Sequence, residues 1–320
     1  MENEADPTPG PIQPTRPRPP ALRRRGLRLL VLILIGYAAI CVTLVYMETR
    51  LVFPGAFLEA APQATADRYS SEQPIQDSVT TLAYEAVDGS ELLGRILVRK
   101  NPDRVILFLH GNEIRATELD GWTEQLSHVA NATVLTAEYR GFQPDGFTPT
   151  EASVIDDALS SVRALSKVTD VAPEEITIYG RSLGGGIAAG LVEAMDAPPQ
   201  SLILDRTFDS AMEIGAEQYF WLPVRWLMSN PFNSSIRLRG FSGNVVSVHG
   251  TPDQIVPMKN GRALFDSLTT PHKTWIEVPG LYHNDSMSTQ TLRQEFEALR
   301  ALEAARSTTA EEPSGAAPVL

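Results

Sequence analysis

The hydrophobic and polar positions divide the chain into one long apolar run, a polar stretch, and then short apolar runs alternating with helical periodicities. The first run, residues 29–47, holds nineteen residues without a charge. As a helix it would be about 28 Å long, close to the roughly 30 Å hydrocarbon core of a bilayer. The apolar region of a cleaved signal peptide is about 7–15 residues long and ends in a small-x-small site. This run is longer and ends Leu44-Val45-Tyr46-Met47, which favours an uncleaved transmembrane anchor. Arg16, Arg18, Arg23, Arg24, Arg25 and Arg28 precede it, and only Arg50 follows closely. The positive-inside rule then keeps the N-terminus in the cytoplasm and sends the rest of the chain to the exoplasmic side, periplasmic if the source is bacterial.

From residue 80 onward the pattern changes. Residues 80–85 and 91–98, split by Asp88-Gly89, predict a hairpin. Residues 104–110 are almost continuously apolar, as in a strand covered on both faces. Helical spacing at 117–129, 150–165, 262–268 and 292–306 alternates with strands at 132–138, 175–179, 201–205, 244–249 and 274–278. This alternation predicts an α/β fold: a mostly parallel sheet with helices on both faces, reactive residues gathering beyond the strands' C-terminal ends. No internal repeat is present. The expected organisation is a disordered Pro/Arg-rich tail (1–28), the anchor (29–47), a linker (48–76), the α/β domain (77–306) with an insert at about 211–243, and a disordered tail (307–320). Seven of the first twenty residues are proline, a composition that cannot bury a core.

Composition removes several classes of function. A net charge of −12 argues against a nucleic-acid partner. The single cysteine, Cys41, allows neither an intramolecular disulfide nor a thiolate metal site. Five histidines are scattered without an H-E-x-x-H pattern, so no metal site is expected.

The candidate chemistry centres on Gly180-Arg181-Ser182-Leu183-Gly184, between a β-branched strand pattern and a small-residue helix. G-x-S-x-G forms a sharp strand-to-helix turn that lifts the serine hydroxyl above a sheet. Gly180 and Gly184 are needed because side chains there would collide with the neighbouring strand or helix. A serine hydroxyl needs a base, and the base needs a carboxylate to orient it. On such a sheet the chain order is Ser, then Asp/Glu, then His, which leaves His249, His272 and His283. His249 ends a strand and is suited to shaping its exit. His272 precedes a strand, at the wrong edge. His283 follows one, at the active edge. For the acid, Asp253 lies just past the 244–249 strand, with Asp205 and Asp209 as rivals from the preceding strand end. An oxyanion hole needs two backbone N–H donors. Leu183 would supply one, and Asn112, after the close-approaching Gly111, the other.

His110-Gly111-Asn112, Glu138-Tyr139-Arg140-Gly141, Gly180-Arg181-Ser182-Leu183-Gly184-Gly185, the run from His249 to Pro257 and His283-Asn284-Asp285 resemble the α/β-hydrolase superfamily, in that superfamily's order. Phe53-Pro54 just after the anchor resembles its membrane-anchored abhydrolase-domain branch. So does the insert carrying Tyr219-Phe220-Trp221-Leu222-Pro223-Val224 and Asn230-Pro231-Phe232-Asn233-Ser234, which looks like that branch's lid. The chain departs from the branch at Glu113-Ile114-Arg115 and at Leu281-Tyr282. The resemblance implies serine hydrolase activity on esters, thioesters or lipids, with Ser182, Asp253 and His283 as triad.

The expected function is therefore a membrane-anchored serine hydrolase that needs no cofactor. Its expected partners are a lipid bilayer, through the N-terminal helix, and an acyl ester or lipid-like substrate. A peptidase or amidase on the same triad, and a silent anchored binding protein, are the competing readings. Oligomeric state is left open. The insert's aromatics, Tyr219, Phe220, Trp221, Trp226 and Phe232, suggest a cap with an apolar inner face toward an acyl chain.

Overall fold

The computed structural model of the protein describes residues 21–58 and 77–311. The expected tail up to residue 20, the linker from 59 to 76 and the tail from 312 lie outside the described residues. The chain forms two compact units, one ending at Tyr46 and the other starting at Met47. In the first, the described residues belong to helix α1 (Ala21–Val52), which continues into the second unit for its last turns. Its Arg25–Val52 portion is long and apolar enough to cross a membrane, and its most apolar window has no buried residues.

The second unit runs β1 (Val79–Glu85), β2 (Glu91–Leu97), β3 (Arg104–Leu109), α2 (Asp120–Ala130), β4 (Ala132–Thr136), α3 (Glu151–Thr169), β5 (Thr177–Arg181), α4 (Leu183–Ala194) and β6 (Ser201–Asp205). It continues α5 (Ala211–Gln218), α6 (Val224–Leu227), α7 (Ser234–Arg237), β7 (Asn244–Gly250), α8 (Met258–Ser267), β8 (Lys273–Val278) and α9 (Thr289–Glu311). The eight strands form one sheet in the order β1-β2-β4-β3-β5-β6-β7-β8. β2 is antiparallel to both β1 and β4; every other neighbouring pair is parallel. The final helix reaches Glu311, past the limit of 306 read from its pattern.

The continuous apolar runs follow from a sheet with two covered faces. In β3, Val105, Leu107 and Leu109 join one core while Ile106 and Phe108 join the other. In β6, Leu202 and Leu204 face the first core and Ile203 the second. Alternate side chains point to opposite faces of a strand, so a strand buried twice must be apolar throughout. Val154, Ile187 and Leu264, from α3, α4 and α8, cover the first face; Leu126 and Phe296, from α2 and α9, cover the second.

The Leu51-Val52-Phe53-Pro54 stretch had a bilayer surface or the globular domain open to it, and Phe53 takes the second: it is completely buried, edge-on to Phe142 and Phe232, and joins the larger core. The insert differs from expectation. In the insert, Phe232 points into that core, whereas Phe220 and Trp226 are 84% and 90% exposed. Tyr219 and Trp221 are exposed as well, so of the aromatics expected on an inner face four are exposed. Composition marked the insert as apolar, but its helices, of eight, four and four residues, carry too little periodicity to assign a face.

Candidate active site

The nucleophile turn joins β5 to α4. Ser182 sits at φ 54°, ψ −121°, a conformation L-residues rarely adopt. Its surroundings hold it there. The Ser182 N–H donates to Asp205 O at 2.9 Å, and Thr207 Oγ1 donates to Ser182 O at 2.8 Å. A Cβ on Gly180 would stand 2.5 Å from Gly184 O, and one on Gly184 would strike the Leu109 carbonyl. The turn closes only with glycine at both positions. Gly111 is less constrained: a Cβ there would make an ordinary 3.6 Å contact with Ser182 Cβ. That contact sets the His110-Gly111-Asn112 loop directly beside the serine. Leu183 is the first residue of α4, where backbone N–H groups lack intrahelical acceptors.

The structure brings Ser182, His283 and Asp253 into one hydrogen-bonded series. His283 Nε2 lies 2.8 Å from Ser182 Oγ, and its Nδ1 lies 2.7 Å from Asp253 Oδ2. The three residues are 8%, 7% and 6% exposed, so the series is shielded yet reachable. The other carboxyl oxygen of Asp253 accepts from Ile255 N–H at 3.0 Å and Val256 N–H at 2.9 Å. These bonds hold the carboxyl with Oδ2 toward Nδ1–H, which leaves Nε2 free to accept from the serine.

None of the rival groups bonds Ser182 Oγ, although His249 Nε2 comes within 3.5 Å of Asp253 Oδ2. His249 donates from Nε2 to Val256 O at 2.9 Å and stacks on Trp275, closing the loop that carries Asp253. Burial pushes its imidazole below the ordinary range, so the ring is neutral. His128 lies on α2, with Nδ1 2.8 Å from Arg99 Nη2. His272 precedes β8. His110 is buried at the end of β3, 2.8 Å from Gly111 O and 3.3 Å from Glu138 Oε1. Asp209 accepts from Asn260 Nδ2 at 3.2 Å. Asp205 is gripped by the neighbouring Arg206, Nε to Oδ1 at 2.8 Å and Nη2 to Oδ2 at 2.9 Å. Burial alone would raise its pKa, but the Arg206 guanidinium, helped by Arg181, holds the carboxyl below the usual range.

Sequence reasoning missed Arg206. It is fully buried, at φ 47°, and its Nη1 donates to the carbonyls of Tyr282, His283 and Asp285 at 2.9, 2.9 and 2.8 Å. Arg181 Nη2 adds a 3.0 Å bond to His283 O. The loop that carries the histidine is thus fixed through its backbone, leaving the ring to Ser182 and Asp253. The adjacent pair Asp205-Arg206 at a strand's end was the available signal.

Behind this pair lies Glu295, fully buried on α9, accepting from Tyr179 Oη at 2.9 Å. Burial, then the charge of Asp205, push its carboxyl well above the ordinary range, which favours the protonated form in the fold. Unfolded, it ionises near its ordinary value; folded, it keeps its proton. Stability therefore falls as pH rises above the ordinary carboxylate range. Glu295→Gln has no proton to hold, so the wild type's melting temperature relative to the variant should decline as pH rises above about 4. Parallel melting curves against pH would contradict a protonated Glu295.

No family model matches the chain. It is 35% identical over 158 residues to an uncharacterised protein of Mycobacterium tuberculosis, covering 49% of this chain and 55% of that protein. The chain thus spans about half the length of that relative. Against α/β-hydrolase domain-containing protein 17B of Homo sapiens it is 24% identical over 221 residues, covering 68% of this chain and 73% of the relative. Among solved structures, an esterase of Pyrococcus furiosus superposes with a TM-score of 0.57 at 16% identity, covering 71% of this chain and 91% of the esterase. An esterase of Thermogutta terrifontis gives 0.53 at 19% identity, covering 78% and 100%. At such identities these structures bear on the fold. The chain has an α/β-hydrolase-like fold, and in sequence it is similar to a protein named for its α/β-hydrolase domain.

Proposed function

We propose that the protein is a membrane-anchored serine hydrolase cleaving ester-type substrates (acyl esters, thioesters or lipid-like esters) through an acyl-enzyme. The observation that carries this reading is the continuous series Ser182 Oγ, His283 Nε2, His283 Nδ1, Asp253 Oδ2, with links of 2.8 and 2.7 Å.

In the first half-reaction Ser182 Oγ attacks the acyl carbonyl carbon as its proton passes to His283 Nε2. Asp253 stays ionised and stabilises the imidazolium. The carbonyl electron pair moves to oxygen, where the Leu183 and Asn112 N–H groups receive the charge. Collapse of the tetrahedral adduct breaks the bond to the leaving group, which takes the proton from His283. In the second half-reaction water gives a proton to His283 and attacks the acyl-serine. The carboxylic acid departs and the serine regains its proton. Every proton moved in this cycle is held by His283, so no cofactor is required.

The anchoring part of the proposal rests on helix α1. Its Arg25–Val52 portion is long enough for a bilayer, and its end belongs to the same compact unit as the triad. Arginines before the apolar run favour a cytoplasmic N-terminus and an exoplasmic hydrolase domain. Glu48 Oε1 accepts from the N–H groups of Ser229 and Asn230, both at 2.8 Å, which ties the helix end to the insert and supports its retention in the mature protein.

A fluorophosphonate probe tests the chemistry, because it phosphonylates only an activated serine. Applied to the detergent-solubilised full chain, it should leave its adduct on the peptide containing Ser182. A folded protein that takes up no probe would end the hydrolase reading.

A further inference from the structure

Asn112 is held by a part of the chain that its sequence presented as linker. Its side-chain Nδ2 donates to Val52 O at 3.1 Å, and its own carbonyl accepts from Gly55 N–H at 2.8 Å. Val52 is the last residue of α1, and Pro54–Phe57 forms a single 3-10 turn directly after it. Phe53 drives its ring into the core between these two bonds. From the other side, Arg115 Nη2 donates to Leu58 O at 2.6 Å and Gly55 O at 3.4 Å. The fit is tight: a Cβ on Gly55 would stand 2.8 Å from Asn112 O and 2.9 Å from the Phe142 ring.

These contacts constrain more than a surface loop. Asn112 has three hydrogen-bonding parts, its side chain, its carbonyl and its N–H. The first two are bonded to the segment after α1. Fixing both holds the Asn112 Cα and, through its tetrahedral geometry, the place of its backbone nitrogen. A Cβ on Gly111 would come within 3.6 Å of Ser182 Cβ, so that nitrogen is held close to the nucleophile. Arg115, one of the positions where the chain departs from the branch it resembles, supplies the clasp on the far side of the turn.

We propose that the Val52–Gly55 segment is a positioning element for the oxyanion hole, acting through Asn112, and that Phe53, Gly55 and Arg115 hold it in place. This inference rests on Asn112 being an oxyanion donor, as in the proposed mechanism. It makes the exit from the apolar helix part of the catalytic apparatus. The same exit holds the insert: Glu48 Oε1 accepts from Ser229 N–H, Asn230 N–H and, at 3.0 Å, Asn230 Nδ2. One short stretch thus carries both the loop that would receive negative charge and the start of the turn that leads to Phe232.

The experiment compares an ester with its thionoester in the detergent-solubilised full chain. Sulfur is larger and a weaker hydrogen-bond acceptor, so the rate ratio of the two substrates reports the fit of the oxyanion hole. Loss of folded protein lowers both rates equally and leaves the ratio alone. Gly55→Ala should lower kcat for the oxoester about 10- to 100-fold, as expected for displacing one oxyanion donor, while KM stays within about twofold. The oxoester-to-thionoester ratio should fall with it. Arg115→Leu leaves the core untouched and should lower the ratio in the same direction, with Arg115→Lys recovering part of it; this pair decides the matter if Gly55→Ala does not fold. An unchanged ratio in folded variants overturns the proposal. A wild type that hydrolyses neither substrate and takes no fluorophosphonate would overturn the proposed function itself.

Discussion

Ser182→Ala is expected to lower kcat for a p-nitrophenyl ester by about 10⁴- to 10⁶-fold, the range in which loss of a triad nucleophile falls. The substitution removes one oxygen at a site only 8% exposed and leaves the turn intact, because Gly180 and Gly184 set its geometry. Melting temperature should therefore change little, and KM should stay near its wild-type value. Residual turnover would come from the oxyanion donors and substrate binding, which can exceed the uncatalysed rate by roughly 10³-fold without a nucleophile. A loss smaller than tenfold in folded protein would move the nucleophile elsewhere.

Asp253→Asn should cost about 10⁴-fold in kcat with little change in fold, equivalent to roughly 5.5 kcal/mol at the transition state. Asp253 Oδ2 accepts from His283 Nδ1–H at 2.7 Å and so leaves Nε2 unprotonated toward Ser182. An asparagine can turn its NH₂ toward Nδ1, which then becomes the acceptor. The proton moves to Nε2, and the base faces the serine with a donor. No neighbouring carboxylate can take over, because Asp205 has both oxygens committed to Arg206. Asp253→Glu keeps the acceptor but is one methylene longer, and should lose less than Asp253→Asn. Equal losses in the two variants would argue for a role in loop shape, through the Ile255 and Val256 N–H bonds, instead of tautomer control.

The central sheet was legible because its strands are buried on both faces and so are largely apolar. β3 and β6 show this as short runs at 105–109 and 202–204, whereas β5 and β7 carry Thr177, Asn244, Ser247 and His249 among their apolar residues. The candidate triad was legible because its chemistry imposes an order along the chain, and because each residue follows a strand that could be recognised. Partners without local pattern were not legible. Glu48 meets Asn230 across 182 positions, and Asn112 meets Val52 across 60. Nothing in the polar residues around Glu48 distinguishes a carboxylate that binds two backbone N–H groups from one in solvent. Phe53 was visible as an apolar residue, but a residue after a membrane-length run can pack on lipid, on protein or on neither. Arg206 has no local pattern because an arginine beside a strand end is ordinarily exposed, and only the Asp205 carboxylate with the converging carbonyls of Tyr282, His283 and Asp285 makes its burial tolerable. The direction of Phe220 and Trp226 depends on packing that composition does not encode.

The sheet order has a consequence for the time at which the protein can act. β5, which presents the serine, pairs with β3 and β6, both made earlier or next along the chain, whereas His283 follows β8, an edge strand paired only with β7. A ribosome that has released Ser182 has about a hundred residues still to make before the base exists (|i−j| of 101 between Ser182 and His283). Domains fold as units during synthesis, so the serine turn, the acid loop and the base come into position together, once β8 has been made. Completion of the last strand would then switch on the whole centre at once.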